Sequence, residues 1–140
     1  MNEAVTKEMI VSAGRDLQFE CHNASRNAGW WVDPTNGVNL RFEINSNSRF
    51  GKALIAEKLA LIHSEVSEAL EGHRKDLMDE KLRHRKAIEV ELADALIRIF
   101  DLGGALSLDL GGAIVEKLAY NATREDHKLE NRAEAGGKAY

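Results

Sequence analysis

Residues 88–100 read IEVELADALIRIF, a stretch that combines an apolar helix with embedded acidic side chains. Aliphatic residues dominate it, and neither proline nor glycine interrupts it. Glu91 and Asp94 lie inside it, three residues apart. Residues at this spacing project from one side of a helix, about 60° apart around its axis. The stretch therefore predicts a helix that packs a core and also presents two carboxylates in one direction.

The rest of the chain has the composition of a helical globular protein. It has 140 residues, of which 44 % are hydrophobic and 30 % are charged, as expected for one domain with its own core. Its one proline is Pro34, so no later helix need end on that account. Apolar spacing predicts helices over residues 3–28, 49–72 and 87–102, and a fourth that starts beyond Asp109 and extends through residue 126. Asn47-Ser48 and Asp109 are the N-cap candidates of the second and fourth helices. We expect an all-α bundle of about four helices in a single domain of residues 1–140.

The segments between these helices carry weaker signals. Residues 30–50 are expected to form a long connection with a short extended piece at VNLRFEI, residues 38–44. The charged residues 73–86 predict a solvated, partly helical segment, and residues 128–140 predict a mobile tail. Gly103-Gly104 and Gly111-Gly112 predict helix ends, with close helix packing as the alternative.

Charge and cysteine content exclude several classes of function. The net charge of -4 gives no reason to expect binding to a nucleic acid polymer. Cys21 is the only cysteine, which excludes an intrachain disulfide and a cysteine-based zinc site. The N-terminal residues lack the pattern of a secretory signal, and no apolar run approaches the about 20 residues of a membrane span. We expect a cytoplasmic protein without membrane contacts.

A second acidic motif precedes the first, in the sequence HSEVSEALEG of residues 63–72. Glu65 and Glu68 again lie three residues apart on a predicted helix. If the two helices are antiparallel neighbours, these carboxylates can converge with Glu91 and Asp94. Four negative charges in a partly dry pocket are costly unless a cation neutralises them.

Hard oxygen ligands of this kind favour Mg²⁺, with Mn²⁺ as the alternative ion. The plainer interpretation is a solvated charged face, since Asp76 and Asp79 form a similar pair in a polar segment. The apolar residues on either side of Glu91 and Asp94 favour the metal site.

A third group of polar residues lies on the fourth predicted helix, in EKLAYNATREDH. Lys117, Asn121 and Arg124 are spaced i, i+4, i+7 and would form one stripe along that helix. A point charge, an amide and a guanidinium fork in a row are suited to hold phosphate groups. The alternative is an exposed polar face.

Together these three motifs resemble those of the MazG-like all-α nucleoside triphosphate pyrophosphohydrolases, in particular compact, phage-type members. The resemblance covers about residues 50–128 and includes the wording SEVSEALEG, ELADALIRIFDL and KLAYNATREDHK. Upstream, HNASRNAGWW resembles the histidine-bearing first helix of that family and the aromatic residue that follows it.

The resemblance implies Mg²⁺-dependent hydrolysis of a (deoxy)nucleoside triphosphate to the monophosphate and pyrophosphate, in a homodimer or homotetramer. It implies that the metal ligands are Glu65, Glu68, Glu91 and Asp94, and that Lys117, Asn121 and Arg124 hold the triphosphate. Of the carboxylates we assign catalysis to Glu68, as general base, and to Glu65.

Two further interpretations concern recognition of the nucleotide base and the possibility that the protein is not a catalyst. We hypothesise that His22, Asn23 and a tryptophan, Trp30 or Trp31, form a base pocket, because base recognition needs a flat apolar surface beside a few polar groups. The alternative for the tryptophans is that they cover the core. The alternative for the whole protein is a non-catalytic helical module that binds a nucleotide or a protein.

Overall fold

The computed structural model describes residues 3–138, with side chains from residue 6 onward. Its helices are α1 (Glu3–Asn27), α2 (Leu40–Ile44), α3 (Arg49–Arg74), α4 (Ala87–Ala105), α5 (Leu110–Thr123) and α6 (Leu129–Arg132), with a 3₁₀ turn at Glu125–His127. Between residues 3 and 138 the β structure consists of two isolated bridges. The all-α class is confirmed, and α1, α3, α4 and α5 are the four predicted helices.

The chain divides into two compact units, and α1 contributes to both. Among the described residues, the first unit contains 3–15 and 109–138, which include the start of α1 with α5 and α6. The second unit is Asp16–Leu108 and contains the rest of α1 with α2, α3 and α4.

In the second unit, α3 and α4 form an antiparallel hairpin. Ser48 caps α3, as predicted, by accepting a hydrogen bond from the backbone N–H of Gly51 at 2.9 Å. Gly72 does not end α3, which continues to Arg74. Gly72 instead permits close packing, because a Cβ at this position would lie 2.8 Å from the Cβ of Ala87 at the start of α4. This contact brings the end of one helix against the start of the next.

The core of the second unit lies at the other end of the hairpin. Its buried residues are Trp31, Ile44, Leu54, Leu102 and Ala105. The side-chain amide of Asn45 donates to the backbone carbonyl of Ala105 at 2.9 Å and ties the residue after α2 to the end of α4.

The expected extended piece in residues 38–44 is wrong, because LRFEI forms α2. The side chain of Asn39 caps this helix by accepting from the backbone N–H of Arg41 at 3.0 Å. Ile44 is then buried in the core with 2 % of its surface exposed. Within residues 38–44, extended pairing is limited to Asn39, which forms a bridge with Val32.

Gly103-Gly104 lies in the last turn of α4, which ends one residue later at Ala105, so the expected helix end is correct to within a residue. A Cβ on Gly104 would lie 2.7 Å from the Cβ of His22 on α1, so the missing side chain allows these helices to approach. The alternative of close helix packing is therefore confirmed here.

In the first unit, Asp109 caps α5 as predicted and accepts from the backbone N–H of Gly112 at 2.9 Å. The helix ends at Thr123 and not at residue 126, because Arg124 has an extended backbone with ψ of 120°. The expected tail has local structure up to residue 138. It forms the 3₁₀ turn and α6, and the ammonium of Lys138 pairs with Asp126 at 2.6 Å.

The charged residues 73–86 are largely exposed, as expected, although α3 ends at Arg74 and the remainder forms turns and a bridge. Within residues 3–138, no helix has both the length and the apolar content to cross a bilayer.

Candidate functional site

Three of the four carboxylates that the sequence predicts to converge, from α3 and α4, do so in the second unit, and Glu68 is not one of them. One oxygen each from Glu65, Glu91 and Asp94 lies within 4.8 Å of the others. Glu65 comes from α3, and the other two come from successive turns of α4. Glu65 is buried and Glu91 is half-buried, so the group is partly withdrawn from water. We call these three residues the acidic cluster.

The acidic cluster is electrostatically crowded. Burial raises the pKa of Glu91 above its usual value, and the charges of Glu68, Asp94 and Glu65 raise it further. A hydrogen bond between the carboxyl groups of Glu91 and Glu65 acts in the same direction. Glu68 is exposed and influences Glu91 by its charge, but it does not contribute an oxygen to the cluster itself.

An arginine that the sequence interpretation missed contacts the cluster. Nε of Arg98 on α4 donates to Oε1 of Glu65 on α3 at 2.6 Å. The Glu65 side chain is 9 % exposed, whereas the Arg98 side chain is 42 % exposed. The available signal was spacing, because Arg98 lies four residues after Asp94 and so on the same side of α4.

The donor set of the cluster fits a small divalent cation. Carboxylate oxygens are hard ligands. The pKa of Glu91 is raised first by burial and then by the negative charges of its neighbours, so these carboxylates also repel one another. A divalent cation would relieve that repulsion. Glu65, Glu91 and Asp94 could hold it, with Glu68 one turn away from Glu65 on α3.

A second buried polar group surrounds Asp101, which the sequence interpretation also missed. Its carboxylate accepts from the hydroxyl of Ser25 at 2.7 Å and from the indole N–H of Trp31 at 2.8 Å. Nδ1 of His22 lies 2.7 Å from the same carboxylate. Asp101 lies seven residues after Asp94, which is two turns along the same side of α4.

The predicted base-pocket residues therefore occupy different environments. Trp31 is 2 % exposed and His22 is 7 % exposed, and their hydrogen bonds to Asp101 explain their burial without a ligand. Trp30 is 69 % exposed and Asn23 is half-buried. The alternative that a tryptophan covers the core holds for Trp31, and the base-binding role of the group stays a prediction.

The predicted phosphate residues belong to the first unit. Lys117 is exposed, with its ammonium 4.8 Å from the centre of the Tyr120 ring. Asn121 is half-buried, and its Oδ1 has no hydrogen-bond partner among the described residues. Because α5 ends at Thr123, Arg124 does not continue the helical stripe.

The guanidinium of Arg124 is engaged by a neighbouring carboxylate. Its Nε lies 3.0 Å from Oδ1 of Asp126, and its Nη2 lies 2.6 Å from Oδ2. This fork holds the pKa of Asp126 well below its usual range. The arrangement shows that Arg124 can hold an anion bidentately, while its contact with a triphosphate stays a prediction.

Comparisons with known proteins found no matching family model, no matching curated protein and no matching solved structure. The resemblance to MazG-like enzymes therefore rests on the three motifs of the sequence.

Proposed function

We propose that the protein hydrolyses a (deoxy)nucleoside triphosphate to the monophosphate and pyrophosphate with Mg²⁺, or with Mn²⁺ in its place. One structural observation supports the motif resemblance most directly. Carboxylates from two separate helices, one from α3 and two from α4, contribute to one cluster with oxygens within 4.8 Å of one another. Convergence of this kind is what a metal site requires and what a solvated charged face does not.

The residues of the cluster suggest different roles in this reaction. Glu65, Glu91 and Asp94 would hold the ion together with Glu68, and a bound divalent ion supplies neutralisation of phosphate charge and a more acidic water. Glu68 is exposed, so its carboxylate is accessible to accept a proton as general base. Glu65 is buried and paired with Arg98, which suits ion binding better than proton exchange.

We propose the remaining contacts to the nucleotide from the resemblance to MazG-like enzymes. Lys117, Asn121 and Arg124 would bind the phosphates, and Asn23 or Trp30 would contact the base. A cytoplasmic location fits the sequence composition.

Exposed apolar side chains support self-association into a homodimer or homotetramer. Leu59, Val66 and Leu70 follow helical spacing on α3, and each has about half of its surface exposed. Leu92 and Leu96 on α4 are similarly exposed, at 47 % and 53 %. Apolar faces of this extent commonly mark interfaces.

The experiment that tests the function is pyrophosphate release from a panel of common and modified nucleoside triphosphates with Mg²⁺. We expect release from at least one of them, and we expect Glu91→Gln to lower it about a hundredfold or more, a typical loss for a group that stabilises the transition state electrostatically. Glu57→Gln is the matched control, because Glu57 is an exposed acid on α3 outside the cluster. Equal activity of Glu91→Gln would mean that the metal site is misplaced.

The alternative function is a non-catalytic helical module that binds a nucleotide or a protein. It is favoured by an absence of pyrophosphate release from every triphosphate in the panel together with retained nucleotide or protein binding.

A further inference from the structure

Arg98 supplies a cation to the acidic cluster. Its Nε donates to Oε1 of Glu65 at 2.6 Å, and Glu65 is one of the three residues whose oxygens converge. Glu65 is therefore paired with a cation of its own chain within the acidic cluster.

We propose that Arg98 is a resident counter-ion that a divalent cation must displace from Glu65, so that Arg98 lowers the affinity of the cluster for that cation. The inference rests on the proposed function, from which it takes the metal site. It assigns a regulatory role to a residue outside the three motifs.

Burial explains why a resident cation is present. A carboxylate that is 9 % exposed loses most of its hydration, and an uncompensated charge in this position strongly destabilises a folded protein. The charge-assisted hydrogen bond from Arg98 provides that compensation. When a metal ion binds, it supplies the same compensation and the guanidinium is no longer required.

The difference in exposure between Arg98 and Glu65 indicates which of the two side chains moves when an ion binds. The Arg98 side chain is 42 % exposed and can turn into water, whereas Glu65 is enclosed between α3 and α4. A guanidinium that remained in place would repel a divalent ion held by the same carboxylate. Release of Arg98 and binding of the ion are therefore coupled, and by linkage each promotes the other.

An arginine can also orient a ligand carboxylate for a metal, as hydrogen-bonding neighbours of metal ligands often do. That role predicts the opposite sign. Removal of an orienting residue weakens metal binding, whereas removal of a competing cation strengthens it.

The test is titration of Mn²⁺ into the full chain without nucleotide, with free Mn²⁺ measured by electron paramagnetic resonance. We expect Arg98→Gln to bind Mn²⁺ about tenfold more tightly than the wild type, within the usual range of coupling between two binding events. Arg85→Gln is the matched control and should bind as the wild type does. Arg85 pairs with Glu89, which lies on the exposed side of α4. Arg85→Gln therefore removes one positive charge, as Arg98→Gln does, but outside the acidic cluster.

A second readout is thermal unfolding, with and without Mn²⁺. In EDTA, Arg98→Gln should melt at a lower temperature than the wild type, because Glu65 loses its counter-ion. Mn²⁺ should raise the melting temperature of Arg98→Gln by more than it raises that of the wild type. If Arg98→Gln does not fold in EDTA, Arg98→Lys serves in its place. Its ammonium lacks the planar fork and should give an intermediate Mn²⁺ affinity.

The outcomes separate this inference from the proposed function. Mn²⁺ binding by the wild type, with equal or weaker binding by Arg98→Gln, overturns the counter-ion role and leaves the metal site intact. An absence of Mn²⁺ binding in the wild type and in both Arg98 variants overturns the metal site as well.

Discussion

Glu65 on α3 and Glu91 on α4 each place a carboxylate oxygen within 4.8 Å of the other and of an oxygen of Asp94. Burial raises the pKa of Glu91, and the neighbouring negative charges raise it further. The acidic cluster therefore contributes unfavourably to the folded state at the place where we propose that a cation binds.

We expect Glu91→Gln to stabilise the metal-free protein. The folded-state pKa of Glu91 is raised, chiefly by burial. A group with a raised carboxyl pKa destabilises the folded state when ionised, so its cost is full above the folded pKa and absent below the ordinary pKa. In EDTA, the variant should melt at a higher temperature than the wild type near neutral pH.

The difference in melting temperature should decrease as the pH falls through the raised pKa of Glu91 toward its ordinary value. Circular dichroism melts over a pH series measure this directly. Glu57→Gln should show no such dependence, because Glu57 is an exposed acid on α3 outside the cluster. A lower melting temperature of Glu91→Gln in EDTA at neutral pH would contradict the assignment.

Asp101→Asn should destabilise the second unit strongly. The carboxylate of Asp101 is buried and accepts from Ser25 and Trp31, and it also contacts His22. The amide of asparagine has one acceptor oxygen where the carboxylate has two, so it cannot accept all of these hydrogen bonds. We therefore expect the free energy of unfolding to fall by about 3 kcal/mol.

Urea unfolding is the measurement for this network. Ser25→Ala is the graded comparison, because it removes one part-buried hydrogen bond and should cost only about 1 kcal/mol. Equal stability of Asp101→Asn and the wild type would show that the network does not support the fold.

Self-association should depend on the apolar side chains of α4. Leu96→Glu places a charge on a residue that is 53 % exposed, and it should raise the dissociation constant of the oligomer by about a hundredfold, as charge burial at an interface does. Sedimentation equilibrium measures it.

Leu129→Glu is the control for self-association, since Leu129 is 80 % exposed on α6 in the other unit. A wild-type chain that sediments as a monomer at every concentration would refute the interface.

Nucleotide binding should be reported by Trp30 and not by Trp31. Trp30 is 69 % exposed, whereas Trp31 is 2 % exposed and bonded to Asp101. If the base stacks on Trp30, a triphosphate should quench the fluorescence of the wild type, and Trp30→Phe should remove most of that change. An undiminished change in Trp30→Phe would assign base contact elsewhere.

Much of the fold could be predicted because helix formation is local. Ser48 and Asp109 are caps whose side chains bond to backbone groups three residues away, and both were identified from their own neighbourhoods. A local signal can nevertheless have two meanings. Gly104 lies one residue before the end of α4, but it also allows the approach of His22, which no local pattern indicates.

The amino-acid sequence by itself determined the helical class and which carboxylates share a side of their own helix, since three-residue spacing sets both direction and distance along the axis. Only the tertiary structure decided which partner each of these groups meets. Arg98 and Glu65 are 33 residues apart, and His22 and Asp101 are 79 apart. Their pairing depends on how closely the helices approach, and that is governed by Gly72 and Gly104, where a side chain would collide with the neighbouring helix.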